Sequence, residues 1–137
     1  MTNCEIADNS ATNWGGGIYH GNGTATITNC TIARNSTTNS CGGIFSWVAL
    51  TLNNTIVAGN SAGDTPYSDI YCGGTLSGFN NLIGTGSAFT NGVNGNIVGA
   101  DPGFVNAANG DCLRSVSPLA TTGSTGQFCF PLVPVFA

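Results

Sequence analysis

The chain repeats itself at a nearly fixed spacing. The nine residues TNCEIADNS, Thr2 to Ser10, recur as TNCTIARNS, Thr28 to Ser36, so Asn3 and Asn29 are 29 − 3 = 26 residues apart, as are Cys4/Cys30, Ile6/Ile32 and Asn9/Asn35. A looser copy, NNTIVAGNS, runs from Asn53 to Ser61 at an offset of 25, and a fourth trace, FNNLIGTGS, from Phe79 to Ser87. A second block recurs between them as GGGIY (Gly15 to Tyr19), CGGIF (Cys41 to Phe45) and SDIYC (Ser68 to Cys72), which puts Ile18, Ile44 and Ile70 at the same spacing. A period of this length marks stacked units, each burying its apolar face against its neighbours.

The residues inside the period decide what is stacked. Thr, Asn, Gly, Ile and Val with almost no charge are poor helix formers and good strand and bend formers. Short runs such as TATIT (Thr24 to Thr28), CTIA (Cys30 to Ala33) and GIFSWV (Gly43 to Val48) predict three short strands per turn of an all-β parallel β-helix. Four to five coils are expected over residues 1–99, with residues 100–137 as an irregular C-terminal cap. Residues one period apart then lie on neighbouring coils at the paired-strand spacing, about 4.8 Å. Ile6, Ile32, Val57 and Ile83 form one interior ladder, Ile18, Ile44 and Ile70 a second, and Ile27 with Leu52 a third. Asn3, Asn29, Asn54 and Asn80 are expected to stack their amides at one bend, and Asn9, Asn35 and Asn60 at another.

Composition narrows the partners. Only 6% of the 137 residues are charged, there is no Lys, and Arg34 and Arg114 are the only basic residues in a chain of formal net charge −4. Electrostatic binding to nucleic acid or anionic lipid is excluded on that inventory, and no apolar run is long enough for a membrane span. The N-x-S/T sequons at Asn22, Asn29, Asn35 and Asn53 are no more than so Asn- and Thr-rich a chain produces by chance.

Six cysteines, Cys4, Cys30, Cys41, Cys72, Cys112 and Cys129, contain no CxxC, and His20 is the single His, a poor inventory for zinc. An even count favours an oxidising compartment. Cys4 and Cys30 on adjacent coils have the geometry for a disulfide and equally for a reduced pair in the core. Cys112 with Cys129 and Cys41 with Cys72 are the remaining pairings. The repeat is already under way at Thr2, which reads as a fragment whose upstream part holds further coils and the secretion signal. Its open N-terminal coil would expose strand edges that invite end-to-end self-association.

Beyond Ser87 the pattern changes to TNGVNGNIVGADPGFVNAANGDCLRSVSPLA, Thr90 to Ala120. With NLIG at Asn81 to Gly84, DPGF at Asp101 to Phe104 and SP at Ser117 to Pro118, the chain resembles the C-terminal portion of bacterial right-handed parallel β-helix proteins. The type is that with choice-of-anchor domains, related to the polymorphic outer-membrane-protein repeats. It departs at LATTGS, Leu119 to Ser124, where the family's closing Asp is missing. The resemblance implies a right-handed β-helix that is secreted or on the cell surface. Family members include surface proteins, adhesins and polysaccharide lyases, so the fold alone assigns no role.

Three kinds of site are weighed. A polysaccharide lyase or hydrolase needs bases and charge neutralisers, for which only His20, Arg34 and Arg114 are available. Arg34 lies one period from Asp8 and reads better as a surface ion pair, and His20 as a solvated turn residue facing Ser46. Calcium needs several oxygen ligands. Asp64 and Asp69 flank GDTPYSD, the one apparent insertion in the repeat, but read better as turn formers; Asp101 and Asp111 read as turn and capping residues. No other cofactor is implied. The stronger lead is carbohydrate, whose flat faces stack on exposed rings while Asn, Ser and Thr meet the hydroxyls. Tyr19, Phe45 and Tyr71 form a column that alternation points outward beside the inward Ile column, and Trp14 and Trp47 lie next to it, with Tyr67 and Phe79 also at hand. The competing reading has this stack covered by the apolar tail FCFPLVPVF, Phe128 to Phe136. Thr24, Thr26, Thr28 and Thr51 sketch a short threonine array, the basis of a minor ice-binding alternative. The expected role is structural, adhesive or glycan-binding, with a polysaccharide or cell-surface glycan as partner.

Overall fold

A computed structural model of the chain describes residues 1–63, 66–86 and 89–104. Asp64, Asp111, Arg114, Cys112, Cys129, the 128–136 tail and nearly all of the expected cap lie outside them. The regular elements among the described residues fall in the unit Met1–Pro102.

The described residues wind through fourteen short strands. The first coil holds β1 (Glu5–Ala7), β2 (Ser10–Ala11), β3 (Ile18–His20) and β4 (Ala25–Thr28). The second holds β5 (Thr31–Ala33), β6 (Ser36–Thr37), β7 (Ile44–Ser46) and β8 (Leu50–Asn53), and the third β9 (Ile56–Ala58), β10 (Ser61–Ala62), β11 (Ile70–Cys72) and β12 (Leu76–Phe79). A shortened fourth turn follows with β13 (Leu82–Ile83) and a 3-10 turn η1 (Val93–Gly95), and β14 (Ile97–Val98) stacks on β13 as the start of the next. All pairing is parallel, in sheets ordered β1-β5-β9-β13-β14, β10-β6-β2, β11-β7-β3 and β12-β8-β4. The architecture is a right-handed parallel β-helix, the hand that parallel crossover connections favour. Four strands form each turn rather than the expected three, because β1 and β2 are separate strands on either side of a bend at Asp8 and Asn9.

The three aliphatic ladders form as the spacing predicts. Ile6 pairs with Ile32, Ile32 with Val57 and Val57 with Ile83, and Val98 extends the column. Ile18, Ile44 and Ile70 are in register, as are Ile27 and Leu52. Ile32, Ile44, Leu52, Val57 and Ile70 are wholly buried in one continuous core. The insertion expected at GDTPYSD amounts to one residue, since the register steps only from Ser36↔Ser61 to Ile44↔Ile70 across it.

The bends share one rule that the spacing does not reveal. Asn3, Asn29, Asn54 and Asn80 all take left-handed φ values between 49° and 55°, a conformation Asn tolerates better than most residues. They are therefore not the amide ladder; the residue after each points inward instead. In that next column Thr55 N donates to Asn81 Oδ1, and Asn81 N and Nδ2 to Asn96 Oδ1. The second bend has Asp8, Arg34 and Gly59 at positive φ, and the inward residues that follow them are Asn9, Asn35 and Asn60. This ladder forms as expected. Asn9 Nδ2 donates to Asn35 Oδ1, Asn35 Nδ2 to Asn60 Oδ1, and Asn60 Nδ2 to Asp69 Oδ1.

The four described cysteines are free thiols, so neither the Cys4–Cys30 nor the Cys41–Cys72 disulfide is present. Each sulfur instead donates to a nearby carbonyl: Cys4 to Thr2, Cys30 to Thr28, Cys41 to Ile44 and Cys72 to Val48. Burial raises the Cys30 thiol pKa and pushes that of Cys41 up to about 12.

Candidate functional site

The β3-β7-β11 sheet carries Ile-Tyr-His, Ile-Phe-Ser and Ile-Tyr-Cys in register. Its isoleucines enter the core, so alternation turns the ring between them outward. The Tyr19 and Phe45 rings lie 6.1 Å apart and 14° from parallel, and those of Phe45 and Tyr71 4.9 Å and 24°. Trp14 comes in from the side, 6.1 Å from Tyr19 and 5.9 Å from Phe45. Trp47, two residues beyond Phe45, meets Phe45 and Tyr71 nearly at right angles, 79° and 83°. Tyr67, on the segment leading to β11, adds a sixth ring 5.7 Å from Tyr71.

All five rings expected to bind carbohydrate, Trp14, Tyr19, Phe45, Trp47 and Tyr71, therefore meet in one patch. Their roles differ. Trp14, Tyr19 and Trp47 are 43%, 51% and 49% exposed, whereas Phe45 is 3% exposed because its neighbours close around it. Phe45 is the support of the patch rather than a contact surface. Tyr67 is a member that column spacing could not supply, since it has no counterpart one period away. Phe79 stands apart on another sheet, 48% exposed.

Polar groups border the rings. His20 ends β3 rather than sitting on a loop, and its Nδ1 lies 3.0 Å from Ser46 Oγ. Ser46 Oγ in turn donates to the Val48 carbonyl and is wholly buried. Asn22 and the Tyr19 and Tyr71 side chains are on the solvent side. No described residue of the sheet carries a formal charge.

The other candidates sit elsewhere. Arg34 follows β5 on a different sheet from His20, and its Nε and Nη2 donate to Asp8 Oδ1 at 2.9 Å and Oδ2 at 2.7 Å. That hydrogen bond holds the Asp8 carboxyl below its ordinary pKa. Asp69 ends the segment between β10 and β11 with its side chain turned into the interior. It is 2% exposed, and both its oxygens are engaged: Oδ1 accepts from Asn60 N and Nδ2, and Oδ2 from Thr85 N and Oγ1. Among the described residues no group of three or more His, Cys, Asp or Glu side chains is placed to hold a metal, and no helix is long and apolar enough to cross a membrane. On the β12-β8-β4 sheet Thr26, Thr51 and Ser77 are in register, with Thr51 and Ser77 hydroxyls 3.1 Å apart. Asn53 and Phe79 follow Thr28 in the neighbouring column, so the threonine array ends after the first coil there.

No protein-family model, curated protein or solved structure matches this chain.

Proposed function

We propose that this chain is an extracellular or cell-surface β-solenoid that binds carbohydrate through the aromatic face of the β3-β7-β11 sheet. One observation carries the reading: six aromatic rings gather on a single uncharged face, and three of them stay close to half exposed. Large exposed apolar patches mark interaction surfaces, and rings with polar tips at their margins suit a ligand with apolar faces and hydroxyl edges. The choice-of-anchor and polymorphic outer-membrane-protein resemblance belongs to the same proposal and agrees with a surface role.

Binding is favoured over catalysis. His20 pairs with a buried serine and Arg34 with Asp8 on another sheet, so these two of the three candidate bases or charge neutralisers, the two among the described residues, do not converge. The test is retention on immobilised polysaccharides, with the same mixtures assayed for new reducing or unsaturated ends. Retention without new ends is the expected result; new ends would make the protein an enzyme and overturn the assignment.

A further inference from the structure

The rings of the patch are not equivalent. Tyr19, Phe45 and Tyr71 stack along the solenoid axis, 14° and 24° from parallel, so the faces between neighbouring rings are turned to one another. Trp47 stands across this stack at 79° and 83°. Both faces of Phe45 are taken by Tyr19 and Tyr71, so it is the edges of Phe45 and Tyr71 that meet the Trp47 indole. An indole that crosses those edges and is 49% exposed has one face to turn to the stack and one to offer to solvent.

The residues above and below Trp47 fit this arrangement. The backbone bonds Trp47 N to His20 O and Gly73 N to Ser46 O continue the coil register, so Gly21, Trp47 and Gly73 stack at 26-residue intervals. Neither glycine has a positive φ, so backbone conformation does not require Gly at either position. Space is tight at Gly21 and ordinary at Gly73. A Cβ at Gly21 would approach Tyr19 Cε1 to 3.2 Å, and one at Gly73 would touch Trp47 Cε3 at 3.4 Å and Tyr71 Cε1 at 3.7 Å. Any longer side chain in this column would lie over the rings.

We propose that the open face of Trp47, beside which Gly73 carries no side chain, is the stacking platform for a sugar ring, and that the ligand is an uncharged glycan. The inference rests on the carbohydrate-binding reading and adds the contact and the ligand class to it. The class follows from charge: among the described residues the sheet carries no Lys or Arg to meet a uronate or sulfate, Arg34 is engaged with Asp8 on another sheet, and the chain's formal net charge of −4 disfavours polyanions.

The test is affinity electrophoresis in gels containing hydroxyethylcellulose or mannan, which are neutral, and carboxymethylcellulose or polygalacturonate, which are anionic. The wild-type chain is compared with Trp47→Ala and Gly73→Gln. Gly73→Gln removes no packed atom, so it blocks the platform without opening the core, and its thermal midpoint serves as the check that the fold is intact. The expected result is retardation by a neutral polymer, weakened at least about tenfold in both variants, the scale of a hot-spot aromatic. Carboxymethylcellulose shares its backbone with hydroxyethylcellulose, so equal or stronger retardation by an anionic polymer overturns the ligand class. Undiminished retardation of both variants overturns Trp47 as the platform; either result leaves carbohydrate binding standing. Retardation of the wild type by none of the four polymers removes the binding reading and this inference together.

Discussion

The carboxylate of Asp69 completes the amide ladder above Asn60: Oδ1 accepts from both Asn60 N and Nδ2, at 2.8 and 2.9 Å. Asp69 stands in the column of Gly17 and Gly43, where the first two coils carry no side chain, and reaches across to the place of the next amide. Its other oxygen takes the Thr85 N–H and hydroxyl, so the ladder passes into the fourth turn, where Thr85 replaces Asn.

Asn60 is the member of this ladder with most at stake. Its amide accepts from Asn35 N and Nδ2 and donates to Ile32 O and Asp69 Oδ1, all in the interior. Asn60→Ala strands several buried groups at once, each worth about 1–3 kcal/mol. Urea unfolding should show a loss of at least about 3 kcal/mol; a loss near zero would mean the ladder does not hold the coils together.

Gly43 is constrained by the same ladder. A Cβ there would collide with the Asp69 carbonyl oxygen and come within 2.8 Å of Asn60 Nδ2. Gly43→Ala should lower stability by about 1–3 kcal/mol, the overpacking range, while Gly73→Ala, whose Cβ makes only ordinary contact at 3.4 Å, should melt within a few degrees of wild type. Equal melting of the two would contradict this packing.

Asn54 tests the bend rather than the ladder. Its φ of 49° suits Gly as well as Asn and opposes a β-branched residue. Asn54→Gly should stay within about 0.5 kcal/mol of wild type and Asn54→Val should lose about 1–2 kcal/mol. Equal effects of the two on a denaturant midpoint would argue against a left-handed residue at this position.

The thiols should differ in reactivity in the native state. Cys4 is exposed, whereas Cys41 is buried with its pKa raised to about 12 from 9.0. Iodoacetamide at pH 8 followed by peptide mapping should label Cys4 first and leave Cys41 unlabelled until unfolding. Because the unfolded thiol ionises near 9.0 and the folded one only near 12, stability should fall as pH rises through 9.0, the slope growing to about 1.4 kcal/mol per unit between the two values. A Cys41→Ala variant that keeps the same alkaline slope would assign that loss to another group.

The Asp8–Arg34 pair should contribute little. The Asp8 pKa is lowered from 3.8 by Arg34, so the stabilisation it adds is present above pH 3.8 and fades as pH drops through the lower folded value. Asp8→Asn should therefore change the melting temperature only slightly at pH 7, less still in high salt, and not at all once both forms are protonated. A large salt-insensitive effect would point to a different role for Asp8.

Spacing alone determined which residues stack. In a parallel coil of constant length, a fixed sequence interval is a fixed position in space, so the three aliphatic ladders, the Asn9-Asn35-Asn60 ladder, the Asp8–Arg34 pair and the Tyr19-Phe45-Tyr71 column were all readable as columns. Direction within a column was not. Whether Asn29 or Cys30 faces the interior depends on which of them takes the left-handed φ, and both lie at the same interval from their partners. The reach of Asp69 from the glycine column into the amide ladder, the free thiols, the turn of Trp47 across the ring stack and the enclosure of Phe45 depend on side-chain torsions and on what fills the neighbouring positions. A periodic sequence specifies neighbours, and only the packed structure specifies which way each neighbour faces.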